Sequence, residues 1–273
     1  MKKHLSTILL ILLFLVGLSL LLYPSVADWW NSFHQTRAVT SYVEQLADID
    51  EAQYEKLWNS AWEYNDSLIT RGNQYILSDE QKEQYNQLLN VGGNGIMGYV
   101  EIPKINVMLP IYHGTEESVL QIAIGHLEWT SLPVGGASSH CVISGHRGLP
   151  SAKLFTDLNL VEVGDTFTMC ILDEILTYQV DQIRIVEPHE TEELLIKEGE
   201  DLCTLMTCTP YGINSHRMLV RGHRVETAEA AVVRHVTADA VQLDPVVVAP
   251  FLAVPMLLGL LIVLMMPKPK KRK

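Results

Sequence analysis

The chain has 273 residues, is 48% hydrophobic and carries a formal net charge of −12, which allows one sizeable domain with additional segments. Seven of its 20 Lys+Arg residues (Lys2, Lys3, Lys268, Lys270, Lys271, Arg272 and Lys273) sit in the two tips, which hold no acidic residue. The rest has 13 basic against 32 acidic residues, a formal charge of −19. Such a surface excludes nucleic-acid binding through phosphate contacts and repels anionic lipid head groups.

In chain order, residues 5–23 (LSTILLILLFLVGLSLLLY) carry no charge and are long enough to cross a bilayer. Residues 246–266 (VVVAPFLAVPMLLGLLIVLMM) are of the same kind. Lysines precede the first segment and PKPKKRK (267–273) follows the second. Positive charge at membrane ends stays in the cytoplasm, so residues 28–245 are expected outside. Ser25-Val26-Ala27 would serve as a cleavage site, but the apolar run exceeds the ~7–15 residues of a signal-peptide core. The expectation over residues 1–27 is an uncleaved anchor, with a signal peptide as the alternative.

Residues 28–94 read as a helical region. Asp48 with Glu51 and Ser78 with Gln81 have capping-box spacing, and Tyr54, Leu57, Trp58, Ala61 and Leu68 recur at roughly helical intervals. A helical pair packed on the main domain is the simplest reading; a stalk or a movable cover is the alternative. VGGNG at 91–95 breaks the pattern. Short strands follow over 95–225: IMGYVEI, VMLPIYH, HCVISGH, DTFTMCIL, EILTYQVDQIRIV, DLCTLMT and RMLVRGH. Turn residues punctuate them, which predicts a mainly β barrel or sandwich. Residues 119–128 and 190–199 look like short helices. Residues 226–245 read as a linker to the second membrane segment.

Four cysteines are present: Cys141, Cys170, Cys203 and Cys208. An even count in an exported domain points first to two disulfides. Cys203 and Cys208, five apart on one apparent strand, point to opposite faces, which leaves Cys208 as a free thiol. Cys208 ends one strand before a turn, TPYGINS, and Arg217 begins the next. In an antiparallel hairpin those ends face each other, so an always-charged planar donor would sit beside the thiol. A thiol nucleophile also needs a base. Of ten histidines, His146 is the best candidate, because it follows an apolar strand between two glycines. His140, His216 and His223 remain rivals on the residues alone. The bland alternative is a buried thiol and an arginine-rich edge strand. No Cys-x-x-Cys, His-Glu-x-x-His or glycine-rich phosphate loop occurs, and SGHRG lacks the serine of a Gly-x-Ser-x-Gly elbow. No metal and no cofactor are expected.

These residues resemble a known family. TLMTCTPYGINSHRMLVRGHR (204–224) looks like the Thr-x-Thr-Cys-Thr-Pro-Tyr-Gly-x-Asn-x-His-Arg signature of class C sortases, the pilin-polymerising cysteine transpeptidases of Gram-positive bacteria. VISGHRGLPSAKLFTDL resembles their histidine segment; MGYVEIPKINVMLPIYHGT and HLEWTSLPVGG resemble their early strands and loop. The resemblance covers about residues 95–225. It implies an eight-stranded sortase-type β-barrel with Cys208 as nucleophile, His146 as general acid/base, and Arg217 as oxyanion or substrate stabiliser. The implied substrates are LPxTG-bearing surface proteins or pilins, with a pilin lysine amine as acceptor, and the implied location is the outer face of the cell membrane. One departure stands out. The Asp-Pro-aromatic lid motif common in the class is missing from RGNQYILSDEQ (71–81); Tyr75 is the only aromatic there, and the sole Asp-Pro is Asp244-Pro245.

Three rivals remain. A housekeeping sortase would use a cell-wall precursor amine, and a cysteine peptidase would use water. A non-enzymatic surface protein would need Leu-Pro-x-Thr-Gly upstream of its apolar tail, and residues 225–245 contain none.

Overall fold

The computed structural model describes residues 2–71 and 76–227. The expected second membrane segment, its basic tail, Tyr75 and all but two residues of the linker lie outside the described residues.

Helix α1 (Lys2–Ala47) carries the apolar run without a break into the region beyond it. It is long and apolar enough to cross a membrane. Helix α2 (Glu51–Arg71) starts where Asp50 accepts from the Gln53 amide at 2.8 Å, so the cap is Asp50 and not the expected Asp48. Helix α3 (Asp79–Gln87) opens on the expected Ser78–Gln81 capping box.

Strands β1 (Ile96–Ile102) and β2 (Val107–His113) form an antiparallel pair. After the one-turn helix α4 (Glu117–Leu120) come β3 (Ile124–His126) and β4 (Ser139–Ser144). Then follow β5 (Thr166–Ile171), β6 (Glu174–Val186), β7 (Asp201–Thr209) and β8 (His216–Val225). Together they close a barrel in the order β1-β2-β3-β4-β7-β8-β6-β5. The expected eight-stranded, mainly β barrel is therefore present. Two pairings are parallel, β2 with β3 and β4 with β7; the others are antiparallel.

Two expected helices are corrected. Within 119–128 only the end of α4 is helical, and Ile124–His126 is a strand. Within 190–199 there is one 3-10 turn, Glu192–Leu194. A segment that buries only Leu194 gains too little from packing to offset helix nucleation.

The core fills the barrel with Val100, Ile111, Ile143, Leu205 and Val220, all fully buried. Ala61, Tyr64 and Leu68 of α2 and Tyr85 of α3 belong to the same cluster. Val39 and Tyr42 of α1 pack with Ile96, Tyr99 and Cys170.

Candidate active site

Strand β7 is buried continuously from Leu202 to Leu205 and then alternates, with Met206 and Cys208 half-exposed and Thr207 and Thr209 buried. Period-two geometry thus turns the Cys208 side chain to the outer face near the strand end. All four cysteines are free, and Cys208 alone among them is not buried. The disulfide reading of the even cysteine count does not hold in this structure.

The β7–β8 hairpin sets Cys208 opposite Arg217 and Thr209 opposite His216, as the local spacing predicted. The intervening turn closes with Pro210 O accepting from the amides of Ile213 and Asn214. Arg217 donates through one guanidinium nitrogen to Asn214 O at 3.3 Å and His216 O at 3.2 Å. Among the described residues no carboxylate pairs with it. The other two arginines of β8 are engaged elsewhere. Arg221 makes a two-pronged ion pair with Asp181 at 2.9 and 3.0 Å, and Arg224 lies over the Tyr178 ring. The edge-strand reading therefore fits neither: β8 is paired on both sides.

His146 arrives from the other neighbour of β7. Strands β4 and β7 run parallel with Ser144 opposite Met206. The ladder continues past β4, with Gly145 N donating to Met206 O and Thr207 Oγ1 donating to Gly145 O. This carries the chain into His146, the residue after Gly145, near the end of β7 that bears Cys208. A β-carbon on Gly145 would meet the Phe155 ring at 2.7 Å, so only glycine lets the strand enter the loop here. His146 Nε2 is buried with no hydrogen-bond partner among the described residues; the Glu117 carboxylate stands 3.9 Å away.

The rival histidines separate on contacts. His140 is fully buried, with Nδ1 donating to Leu195 O and Nε2 accepting from Thr204 Oγ1; burial pushes it down to about 4. His216 sits against Ser215 in the turn, and His223 lies 3.8 Å from Asp181 at the far end of β8.

Three features were not anticipated from the residues. Thr207 fixes the His146 segment to β7. Tyr211 of the turn packs on Gly148, whose φ of +77° and 2.8 Å approach admit no side chain. Arg147 stretches between Thr209 Oγ1 and Asn159 Oδ1 and sits near the Tyr211 ring. The sequence signal for the last two was the pair HRG and TPYG, each a turn whose tight residue invites a partner. Beside the site, a pocket of about 200 Å³ shares Met206 and Arg217 with it and is walled by Leu127, Trp129, Val186 and Leu219.

A closed mixed barrel that presents a half-buried free thiol, an arginine across the hairpin and a histidine just beyond the next strand holds the kinds of group that thiol acyl transfer needs. Residues 100–225 match the family model described as Sortase domain. The fold is similar to sortase C1 of Streptococcus agalactiae, with 52% identity, a TM-score of 0.69, and coverage of 70% of this chain and all of that one. It is also similar to Clostridium perfringens sortase C, solved with a C-terminal cell wall sorting motif, at 40% identity and a TM-score of 0.63, over 70% of this chain and all of that one. Sortase D of Bacillus subtilis (strain 168) is 30% identical over 131 residues, which span 47% of this chain and 63% of that protein. The chain belongs to the sortase family of cysteine transpeptidases, and its solved neighbours are class C sortases.

Proposed function

We propose that this sortase is a membrane-anchored pilin polymerase of class C. It reads an LPxTG-like motif and joins it to a pilin lysine. The observation that supports the residue roles is the pairing around β7: Cys208 faces Arg217 across β7–β8, and the β4–β7 contacts, which reach Gly145, carry the chain into His146 near the same strand end. In this reading the Cys208 thiolate attacks the carbonyl of the motif's Thr. Arg217 swings from its turn carbonyls to the oxyanion, and the Thr–Gly bond breaks as His146 protonates the departing amine. The lysine amine then attacks the thioester, His146 takes its proton, and the thiolate is released. The pocket beside Arg217 would hold the apolar residues of the motif. Helix α1 would anchor the barrel, with the domain limits 1–27, 28–94, 95–225, 226–245, 246–266 and 267–273. The scheme needs the Cys208 thiolate and a protonated His146 at the same time, so kcat/KM is expected to be bell-shaped in pH.

The test incubates the full chain in detergent with an LPxTG-type peptide and a lysine-bearing peptide, with Cys208→Ala as control, and reads the products by mass spectrometry. A thioester on Cys208 and a lysine-linked product, both lost in the control, are the expected result. Cleavage with water as the only acceptor would point to a peptidase, and linkage only to a cell-wall precursor amine would point to a housekeeping enzyme.

A further inference from the structure

Helix α1 meets the barrel close to the histidine. Three polar side chains directly after its apolar run reach across to loop backbone. Asp28 Oδ1 accepts from the Lys153 amide at 2.7 Å, Asn31 Nδ2 donates to Ser151 O at 2.7 Å, and Gln35 Nε2 donates to Ile122 O at 2.7 Å. The spacing i, i+3, i+7 places all three on one helix face. Ser151 and Lys153 form the tip of the segment that begins at His146. Its base is closed by the Phe155 amide donating to His146 O at 3.1 Å, and its middle by Gly148 N donating to Thr156 Oγ1 and a Leu149–Ala152 bridge. The loop is thus fixed at its base by the barrel and at its tip by the helix. The Lys153 ammonium is already paired with Asp157 at 2.8 Å, so Asp28 holds the backbone rather than a surface charge.

We propose that Asp28 and Asn31 are positioning residues: they clamp loop 147–156 to α1 and so restrict where His146 can sit. This rests on the reading of His146 as the acid/base. Both bonds are at least partly solvent-exposed. Breaking them frees backbone groups that water can satisfy, so the consequence is loop motion rather than unfolding. The helix that anchors the chain is then also part of the machinery, and the turn of α1 just past the apolar run acts on the site. A chain begun between Asn31 and Tyr42 would lack the clamp while keeping the Tyr42 contacts and every strand.

The experiment uses the full chain in lipid nanodiscs. Asp28→Ala with Asn31→Ala is compared with wild type by amide hydrogen exchange and by steady-state turnover. Exchange in 147–156 is expected to rise about tenfold or more, with β7 and β8 and the melting temperature unchanged. Turnover (kcat) is expected to fall severalfold with KM nearly constant. Asp28→Asn, which keeps a carbonyl acceptor, should restore most of both. Unchanged exchange in the loop overturns the clamp. Faster exchange with unchanged kcat overturns the positioning role. His146→Ala is read separately: thioester formation on Cys208 at the wild-type rate in that variant sinks the acid/base reading and with it the positioning role, whereas the exchange result tests the clamp itself.

Discussion

At Gly148 two constraints coincide. Its φ of +77° lies in the left-handed region, and a β-carbon would stand 2.8 Å from the Tyr211 ring. Gly148→Ala is expected to destabilise by about 1–3 kcal/mol, part from backbone strain and part from the displaced ring. In a Tyr211→Ala background only the strain remains, so the same substitution should cost less. Thermal melts of the four proteins form the cycle; strictly additive costs would show that the ring is not what the loop rests on. The arginines of β8 give a second contrast. Arg217, tied among the described residues to the backbone carbonyls of Asn214 and His216, is expected to matter for rate: Arg217→Lys keeps the charge but loses the planar fork, and kcat/KM should fall by about 10²–10³. Arg221 is held by Asp181, which lifts it above its ordinary value through that ion pair. Arg221→Ala should lower the melting temperature and leave kcat near wild type, so a kinetic defect as large as that of Arg217→Lys would reverse these assignments.

Pairing between strands explains both what could be read in advance and what could not. Cys208 and Arg217 were legible together because an antiparallel hairpin is local: a turn of small and polar residues fixes which ends meet. The approach of His146 was not legible from spacing. It depends on a parallel pairing between strands about 60 residues apart, and nothing in VISGHRG announces its register with β7. The same holds for β3. Its three residues lie in QIAIGHLE, whose apolar spacing fits a helix equally well, and only the flanking β2 and β4 make it a strand. Within β4, His140 supplies a prediction for this layer. Burial holds its folded value at about 4, against ~6.5 in the unfolded chain. The fold accepts the neutral ring, so at low pH the unfolded chain binds the extra proton. The contribution is complete above ~6.5, declines as pH falls from there to about 4, and is gone below; it amounts to about 3 kcal/mol. Burial also pushes His113 downward, which adds in the same direction. Urea midpoints at pH 7, 5 and 4 should converge less steeply in His140→Gln than in wild type. Parallel pH slopes in the two proteins would mean that the ring is solvated or already charged in the fold.

For the whole molecule, the decisive contacts join α1, α2 and α3 to the barrel, and each of these helices contributes at least one buried polar side chain. Tyr42 of α1 donates to Met97 O at 2.9 Å and accepts from Leu172 N at 2.8 Å, bridging β1 to the turn after β5. Asn65 of α2 brackets the backbone of Leu132, donating to its carbonyl and accepting from its amide. Tyr85 of α3 donates to His126 Nδ1 at 2.8 Å and accepts from Gly114 N at 3.0 Å. These bonds serve the Met97 carbonyl and the amides of Leu172, Leu132 and Gly114, in apolar surroundings where an unmet donor or acceptor costs about 1–3 kcal/mol. A cover that lifts off would have to break all three sets together and expose Ala61, Tyr64, Leu68 and Tyr85 with them. These helices therefore act as structural parts of the barrel. Tyr42→Phe keeps the ring and removes only the hydroxyl; it is expected to lose about 1–3 kcal/mol by chemical denaturation, a larger loss than substitution of an exposed residue of α1 such as Val43→Ala. A chain begun at residue 95 keeps every strand, yet it should fail to melt cooperatively, because the open groups of Met97, Leu132 and Gly114 and the bared core face have no partners. A sharp unfolding transition and dispersed amide resonances from that truncated chain would show instead that the barrel is self-sufficient and that the helices are free to move as a cover.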